Sequence, residues 1–530
     1  MRLILSSVAL IALAGQGLAA ETPRFVEETE SSGLDSVYAG DWQYMVGGGA
    51  AVVDCNGDGF EDVFLAGGEK PASFFVNRST RGGALSFERQ QSGLEFDAVT
   101  GAYPIDIDGD RIMDLVVLRV GENIAMKGEG GCRFSRANEA WGFDGGDGWS
   151  TAFAAAWEKD ASWPTLAIGN YIDRKEEFEP WGSCTANWLH RPAAAAKGFA
   201  PPFDLKPSHC PLSMLFTDWS NSGTPDLRVS NDREYYEGGE EQMWRIRPGG
   251  EPRLYTRKEG WRYVRIWGMG IAAYDLDGDG FQEYFLTSMA DNRLQTLASP
   301  PKDGTPPRPD YKEAAFSKGV TAHRPFTGDD LKPSTAWHTE FQDMDNDGLV
   351  DLFIAKGNVA EMPDFAIKDP NNLLMQQADG KFTEVAHKAG VASTKTSRGG
   401  AIADFNLDGL LDLVVVNRWE KAQVWRNVTE KPGQALMLRL GQEGPNVNAI
   451  GAVIEVKTGD RVQRREITSG GGHVSGQAGW IHVGIGTADQ AELRVRWPGA
   501  DWSAPQTLAA GSFAVIRREA AAPEAWQPPR

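Results

Sequence analysis

The chain has 530 residues, with 53 Lys and Arg against 73 Asp and Glu for a formal charge of −20, 41% hydrophobic residues and four cysteines. It is too long for one ordinary domain and too apolar for a disordered chain. The acidic surplus would repel phosphate backbones and anionic lipid heads, so no nucleic acid is expected as a partner, and metal cations are the natural counterpart.

In chain order, residues 1–20 come first. Arg2, the apolar run LILSSVALIALAG and the small residues GLAA have the three-part layout of a signal peptide cleaved after Ala19 or Ala20. The run falls short of the roughly 18 to 20 residues a membrane span needs, and no later stretch reaches that length, so no transmembrane anchor is expected. The first cysteine is Cys55, which excludes lipid attachment at a mature N-terminal cysteine. The reading is export to a periplasm or the extracellular space, where disulfides persist and calcium is available.

From residue 54 onward a nine-residue pattern recurs, with oxygen-bearing side chains at positions 1, 3, 5 and 9 and Gly usually at 6. It reads DCNGDGFED (Asp54, Asn56, Asp58, Asp62), DIDGDRIMD (Asp106, Asp108, Asp110, Asp114) and DLDGDGFQE (Asp275, Asp277, Asp279, Glu283), then DMDNDGLVD (Asp343, Asp345, Asp347, Asp351) and DFNLDGLLD (Asp404, Asn406, Asp408, Asp412). Alternating oxygen ligands around a sharp turn suit a hard cation of calcium size, and the main-chain carbonyls of position 7 (Phe60, Ile112, Phe281, Leu349 and Leu410) are expected to complete each set. About five Ca²⁺ sites follow. An EF-hand would need Glu at position 12, where this chain has Leu65, Val117, Leu286, Ile354 and Val415, and its flanks are β-type runs. Two eroded copies keep the flanks without the ligands. DWSNSGTPD, from Asp218, offers Ser220 and Ser222, and WEKDASWPT, from Trp157, has no acid at positions 1, 5 or 9, so that an ammonium there could take the ion's place.

Seven such units predict an all-β, seven-bladed β-propeller over residues 21–430. Third strands such as SFFVNR and NNLLMQQ follow, then fourth strands containing Phe, such as KFTEVAHKAGV. The seventh unit lacks a fourth strand, and RFVEETESSGL from Arg24 is expected to supply it, closing the ring. Residues 434–518 alternate apolar and polar positions in short runs, which predicts a small C-terminal β-sandwich-like domain, with TEKPGQ as the joint and 519–530 as a loose tail.

The repeats resemble FG-GAP or VCBS-type repeats, the calcium-loop blades also found in integrin alpha-chain propellers. NVNAIGAVIEV, REITSGGGHVSGQ, HVGIGTA and LRVRWPGA look like the ASPIC/UnbV domain. The combination is similar to the cartilage-acidic-protein-like family of secreted proteins. The resemblance implies calcium binding and residence outside the cytoplasm, and it supplies no catalytic residues. Arg111 in the Gly position of the second loop departs from the pattern and weakens that site.

The calcium loops are all first turns of their blades and should share one face, leaving the long insertions at 171–211, 231–240, 320–336 and 356–370 to crowd the other. Tyr171, Asp173, Trp181, Tyr235, Tyr236 and Asp364 are candidate ligand contacts there. Cys184 can pair with Cys210, and Cys55 with Cys132, though four cysteines allow three connectivities. The seven histidines show no HExxH, CxxCH or other catalytic grouping, and His338 and His473 read as structural. Three functions remain. The leading one is a calcium-stabilised adhesion or scaffold module for an extracellular or envelope protein or glycan. The others are a periplasmic hydrolase, lyase or quinoprotein with its site in the propeller funnel, and a structural part of a larger envelope complex.

Overall fold

The computed structural model describes residues 22–175, 183–193, 197–232, 239–301, 307–328 and 330–527. The leader at 1–20, Trp181, Tyr235 and Tyr236 lie outside them. Among the described residues no helix is long and apolar enough to cross a membrane.

Strand pairing among the described residues forms seven four-stranded antiparallel units. Their first strands are Ala50–Val53, Val99–Ile105, Gly148–Ala156, Pro211–Thr217, Gly268–Tyr274, Ala336–Gln342 and Ser397–Ala403. Each first strand lies against the next, and the seventh lies against the first, so the units close a ring. They are numbered here as blades 1 to 7. These strands are almost wholly buried, and those of blades 1, 3 and 7 are rich in small residues, which lets them crowd the axis. In all five intact copies the first strand ends immediately before loop position 1 and the second begins at position 9, as in Asp62–Leu65 and Asp412–Asn417.

The N-terminal strand Phe25–Glu27 pairs with Gln423–Asn427, with Phe25 opposite Asn427. The last blade is therefore completed from the other end of the chain, as the sequence predicts. Apolar clusters sit between neighbouring blades: Phe353, Leu373, Leu413 and Trp425 bind blade 6 to blade 7, and Ala152, Met214 and Leu227 bind blade 3 to blade 4. Burying a large aliphatic or aromatic side chain contributes about 1.5–3 kcal/mol, so these faces carry most of the ring's stability.

In blade 3 the third and fourth strands, Asn187–His190 and Phe203–Leu205, lie inside the segment read from sequence as one insertion. Disulfides join Cys55 to Cys132 and Cys184 to Cys210. The second closes a loop 26 residues apart in sequence, so Cys184→Ser should lower unfolding free energy by about 3 kcal/mol, measured by denaturant titration.

The C-terminal domain is two packed four-stranded sheets. One orders Ile481–Gly486, Gln434–Gly441, Phe513–Arg517 and Glu524–Trp526; the other orders Arg461–Glu466, Val453–Thr458, Gln490–Arg496 and Gln506–Ala509. Leu436, Leu438, Ile454, Val483, Leu493 and Val495 fill the space between them. The expected loose tail is corrected over 524–526. That stretch pairs with Phe513–Val515, and the Trp526 ring packs 4.9 Å from Trp480, because aromatic burial outweighs the cost of ordering three residues.

A segment of the C-terminal domain, residues 469–478, leaves the sandwich and crosses the axis of the ring. Ser469 and Gly470 pair with Ala155 and Ala154 of blade 3, and Gly476–Ala478 run parallel to Ala51–Val53 of blade 1. Between these contacts Gly471 donates to Met214 O, Gly472 to Ile271 O, and the His473 amide to His338 Nδ1. Glycines make the crossing sterically feasible. A Cβ on Gly49 would lie 1.8 Å from Val474 O, and one on Gly101 would lie 2.0 Å from it.

Candidate metal loops and the domain seated on them

The five intact loops share one hydrogen-bonding scheme. The position 1 carboxylate accepts backbone N–H groups within its own turn, as Asp54 does from Gly57 at 2.8 Å and Gly59 at 3.0 Å, and as Asp343 does from Asp347 at 3.1 Å and Gly348 at 2.8 Å. The position 5 carboxylate accepts from position 7, as in Phe60 to Asp58 and Leu410 to Asp408, both 2.9 Å. The position 9 carboxylate accepts from position 2 and, in four of the loops, also from the third strand. Asp62 thus takes the amides of Cys55 and Asn77, and Asp412 those of Phe405 and Asn427. Main-chain donors fix each acid, and the alternating spacing aims the acids at one another. In the second, fifth and sixth loops three carboxylates bring an oxygen each within 4.8 Å of the others.

Like charges this close, at buried positions, push the carboxyl groups up. Burial raises Asp62, Asp114 and Glu283 to about 8, and Asp106 and Asp275 to about 6. Asp343, Asp351, Asp404 and Asp412 are fully enclosed and go well above the carboxylate range, burial being the first cause and neighbouring acids the second. Two buried carboxylate oxygens, Asp275 Oδ1 and Asp345 Oδ2, have no hydrogen-bond partner. An all-oxygen donor set with unpartnered lone pairs facing a shared point fits a hard divalent cation of the calcium class.

The eroded loops hold guanidinium groups. In blade 3 Lys159 is exposed, so the expected ammonium substitution does not occur there, and Arg191 Nε instead binds Glu158 Oε1 at 2.6 Å. In blade 4 Arg247 binds Asp226 Oδ1 at 2.6 Å, and Arg496 of the C-terminal domain lies 3.3 Å from Asp218 Oδ2.

The C-terminal domain sits on this loop face. Arg439 binds Asp54 Oδ2 at 2.9 Å and Glu61 Oε1 at 3.0 Å, Arg464 lies 3.5 Å from Asp275 Oδ2, Arg461 donates to Asp347 O at 2.8 Å, and Glu443 accepts from Arg111 at 2.6 Å. An apolar patch of Phe60, Leu407, Met437 and Phe513, with Trp480 and Trp526 against it, seals the contact. The loop acids and Arg111 were singled out from sequence, but their partners in the C-terminal domain, Arg439, Glu443, Arg461 and Arg464, were not. The one available signal was the run of arginines at 461, 464 and 465 on a strand that carries few apolar residues.

Between the ring and the sandwich lies a cavity of about 440 Å³ whose walls include Glu61, His338, Glu340, Arg465, Gln477 and His482. His338 and His473 are both buried, as their structural reading expects. His338 accepts the His473 amide at Nδ1, so Nε2 carries the proton and faces Glu340 Oε1 at 2.8 Å, which also accepts from Gln477. His473 accepts the Gly47 amide at Nε2 and is pushed down to about 3 by burial. Both rings are spent on holding the crossing segment.

On the opposite face, Tyr171 is buried, with its hydroxyl on Asp232 and its ring 4.9 Å from Trp149, so it is core and not a ligand contact. Asp173 is half-buried and Asp364 is exposed. Residues 36–46 run along this face, where Trp42 packs 5.9 Å from Trp149. Tyr38 bridges to Arg418, and Arg418 donates to Gly40 O and Asp41 O. Trp42 of this segment and Trp419 beside it are 46% and 47% exposed. Sequence reasoning missed both, since single tryptophans carry no spacing signal.

No curated protein matches the chain. Among solved structures it is similar to BBS1N in complex with ARL6DN, at 8% identity over 72% of this chain and 92% of that one, with a TM-score of 0.42. It is also similar to an Agrocybe aegerita lectin described as recognising non-reducing terminal N-acetylglucosamine (13%, 72% and 94%, TM-score 0.38) and to Trypanosoma rangeli sialidase (9%, 71% and 59%, TM-score 0.35). The family described as FG-GAP-like repeat matches residues 54–117 and 343–415, and the one described as ASPIC and UnbV matches 442–523. The ring thus contains FG-GAP-like repeats, and the C-terminal domain matches ASPIC and UnbV.

Proposed function

We propose that the protein is an exported, calcium-stabilised binding module that presents the propeller face opposite the metal loops to a protein or glycan of the cell envelope or exterior. The observation that carries this reading is the crossing of the axis by residues 469–478. It takes up part of the axial space in which an enzyme of this shape would hold substrate, and it engages His338, Glu340 and His473 as its anchors. With the loop face covered by the C-terminal domain, the exposed aromatics Trp42 and Trp419 stand at the remaining axial mouth, where an aromatic face can stack on a sugar or a partner side chain. The two disulfides support an oxidising compartment, and the donor chemistry of the loops supports calcium.

The test is retention of defined glycans and of envelope-extract components on the immobilised protein, with and without calcium, beside a Trp42→Ala/Trp419→Ala variant. Calcium-dependent retention that falls at least tenfold in the variant is expected. Equal retention by the variant, or none by either protein, would overturn the assignment of this face.

A further inference from the structure

We propose that the second loop is not a metal site, and that the side-chain ammonium of Lys127 permanently occupies the place an ion holds in the other intact loops. The inference rests on the calcium reading of those loops. Lys127 belongs to the third strand of blade 2, Ile124–Gly128, and its Nζ lies 2.5 Å from both Asp108 Oδ2 and Asp110 Oδ2. These are positions 3 and 5 of DIDGDRIMD, two of the side chains expected to bind a cation. The ammonium bridges them as an ion would, with charge-assisted hydrogen bonds in place of coordination.

Strand register shows that this is peculiar to blade 2. Met126 stands opposite Leu115, as Phe75 stands opposite Val63, Gln295 opposite Tyr284, Leu374 opposite Leu352 and Trp425 opposite Leu413. The residues matching Lys127 are therefore Val76, Thr296, Met375 and Arg426. Three are uncharged, and the Arg426 guanidinium is engaged elsewhere, 2.8 Å from Glu28 Oε1. The fifth and sixth loops each retain a buried, unpartnered carboxylate oxygen at a ligand position, and the second, like the first and seventh, has none among the described residues.

A second, independent departure lies in the same loop. Position 6 is glycine in the other four intact loops, all with φ near +90° (Gly59, Gly280, Gly348 and Gly409), whereas here it is Arg111 at φ 71°. A non-glycine residue in that region costs about 1–3 kcal/mol. Its side chain reaches Glu443 of the C-terminal domain at 2.6 Å. Blade 2 has thus exchanged an ion for two basic side chains, one closing the loop and one reaching across to the neighbouring domain. A cation entering this loop must displace an ammonium tethered by one strand, whose effective concentration is in the millimolar range or above.

Calcium equivalents bound at saturation, counted by equilibrium dialysis on wild type, Lys127→Met and Lys127→Arg, test the proposal. Wild type should bind no more than four, Lys127→Met one more than wild type, and Lys127→Arg the same number as wild type. Five equivalents in the wild type alone, which needs no variant to fold, would overturn it. So would an unchanged count in a Lys127→Met protein whose circular dichroism is native. Absence of calcium from every form would instead remove the reading of all five loops, and this inference with it.

Discussion

Metal-free protein should melt about 10 °C or more below the calcium-loaded form at pH 8, and the gap should shrink towards pH 5. Each ion bound at a thousandfold excess over its Kd adds about 4 kcal/mol, and several loops contribute. The ring's size means that each kcal/mol moves Tm by only a degree or two. The pH dependence follows from the direction of the carboxyl shifts. Asp62, Asp114 and Glu283 at about 8, and Asp106 and Asp275 at about 6, are raised above their unfolded values near 4. A group raised in the folded state contributes stability that is complete below its unfolded pKa and is lost as pH rises through its folded pKa. The metal-free protein should therefore lose stability steadily between pH 5 and pH 8.5. Calcium neutralises the acids of the loops it occupies, Asp62, Asp275 and Glu283 among them, and should remove their share of that slope, leaving that of Asp106 and Asp114. Scanning calorimetry on protein stripped of metal and dialysed to each pH, with and without added calcium, reads both effects. A metal-free Tm that rises across this range would contradict the electrostatic account of the loops.

The second large effect concerns the crossing segment. Gly101→Val places a side chain where even a Cβ would lie 2.0 Å from Val474 O and 2.7 Å from Val474 Cβ. Neither backbone can yield without breaking the bonds of Gly471, Gly472 and His473 to blades 4, 5 and 6. Overpacking commonly costs about 1–3 kcal/mol, and expelling a hydrogen-bonded segment adds the desolvation of each polar group it leaves behind. The expected result is loss of amide-exchange protection at residues 471–473, new protease cleavage within 469–478 and a fall in Tm. Gly250→Ala, whose Cβ would meet nothing closer than 3.5 Å, serves as the neutral control. Retained protection at 471–473 in the Gly101→Val protein would show that the segment is not packed as described.

Much of the fold was legible because a nine-residue pattern repeated five times marks the first turn of a blade wherever it occurs. Ring closure by Phe25–Glu27 was legible for the same reason: RFVEETESSGL has the form of a fourth strand that the last unit lacks. The strands of blade 3 were not, since Asn187–His190 and Phe203–Leu205 are short and sit in a stretch rich in Pro, Ala and Gly that reads as loop. The crossing segment was hidden by its own composition. SGGGHVSG shows no strand periodicity, and its partners at Ala51, Ala102 and Ala154 are more than 300 residues away. The acids that the loops gather could be named from spacing alone. The cations that answer them could not, because Lys127, Arg439 and Arg464 reach the loops through strand register and domain placement, which charge patterning along the chain does not encode.

The pairing of Gly476–Ala478 with the first strand of blade 1, and of Ser469–Gly470 with that of blade 3, also bears on how the chain avoids self-association. Innermost strands of a ring present unpaired N–H and C=O groups to its centre, and an unpaired strand edge templates addition of another chain. Here the C-terminal domain supplies the missing partner from within the same molecule. Removing that domain would uncover backbone at the heart of the ring, so the domain guards against aggregation as well as adding a second fold.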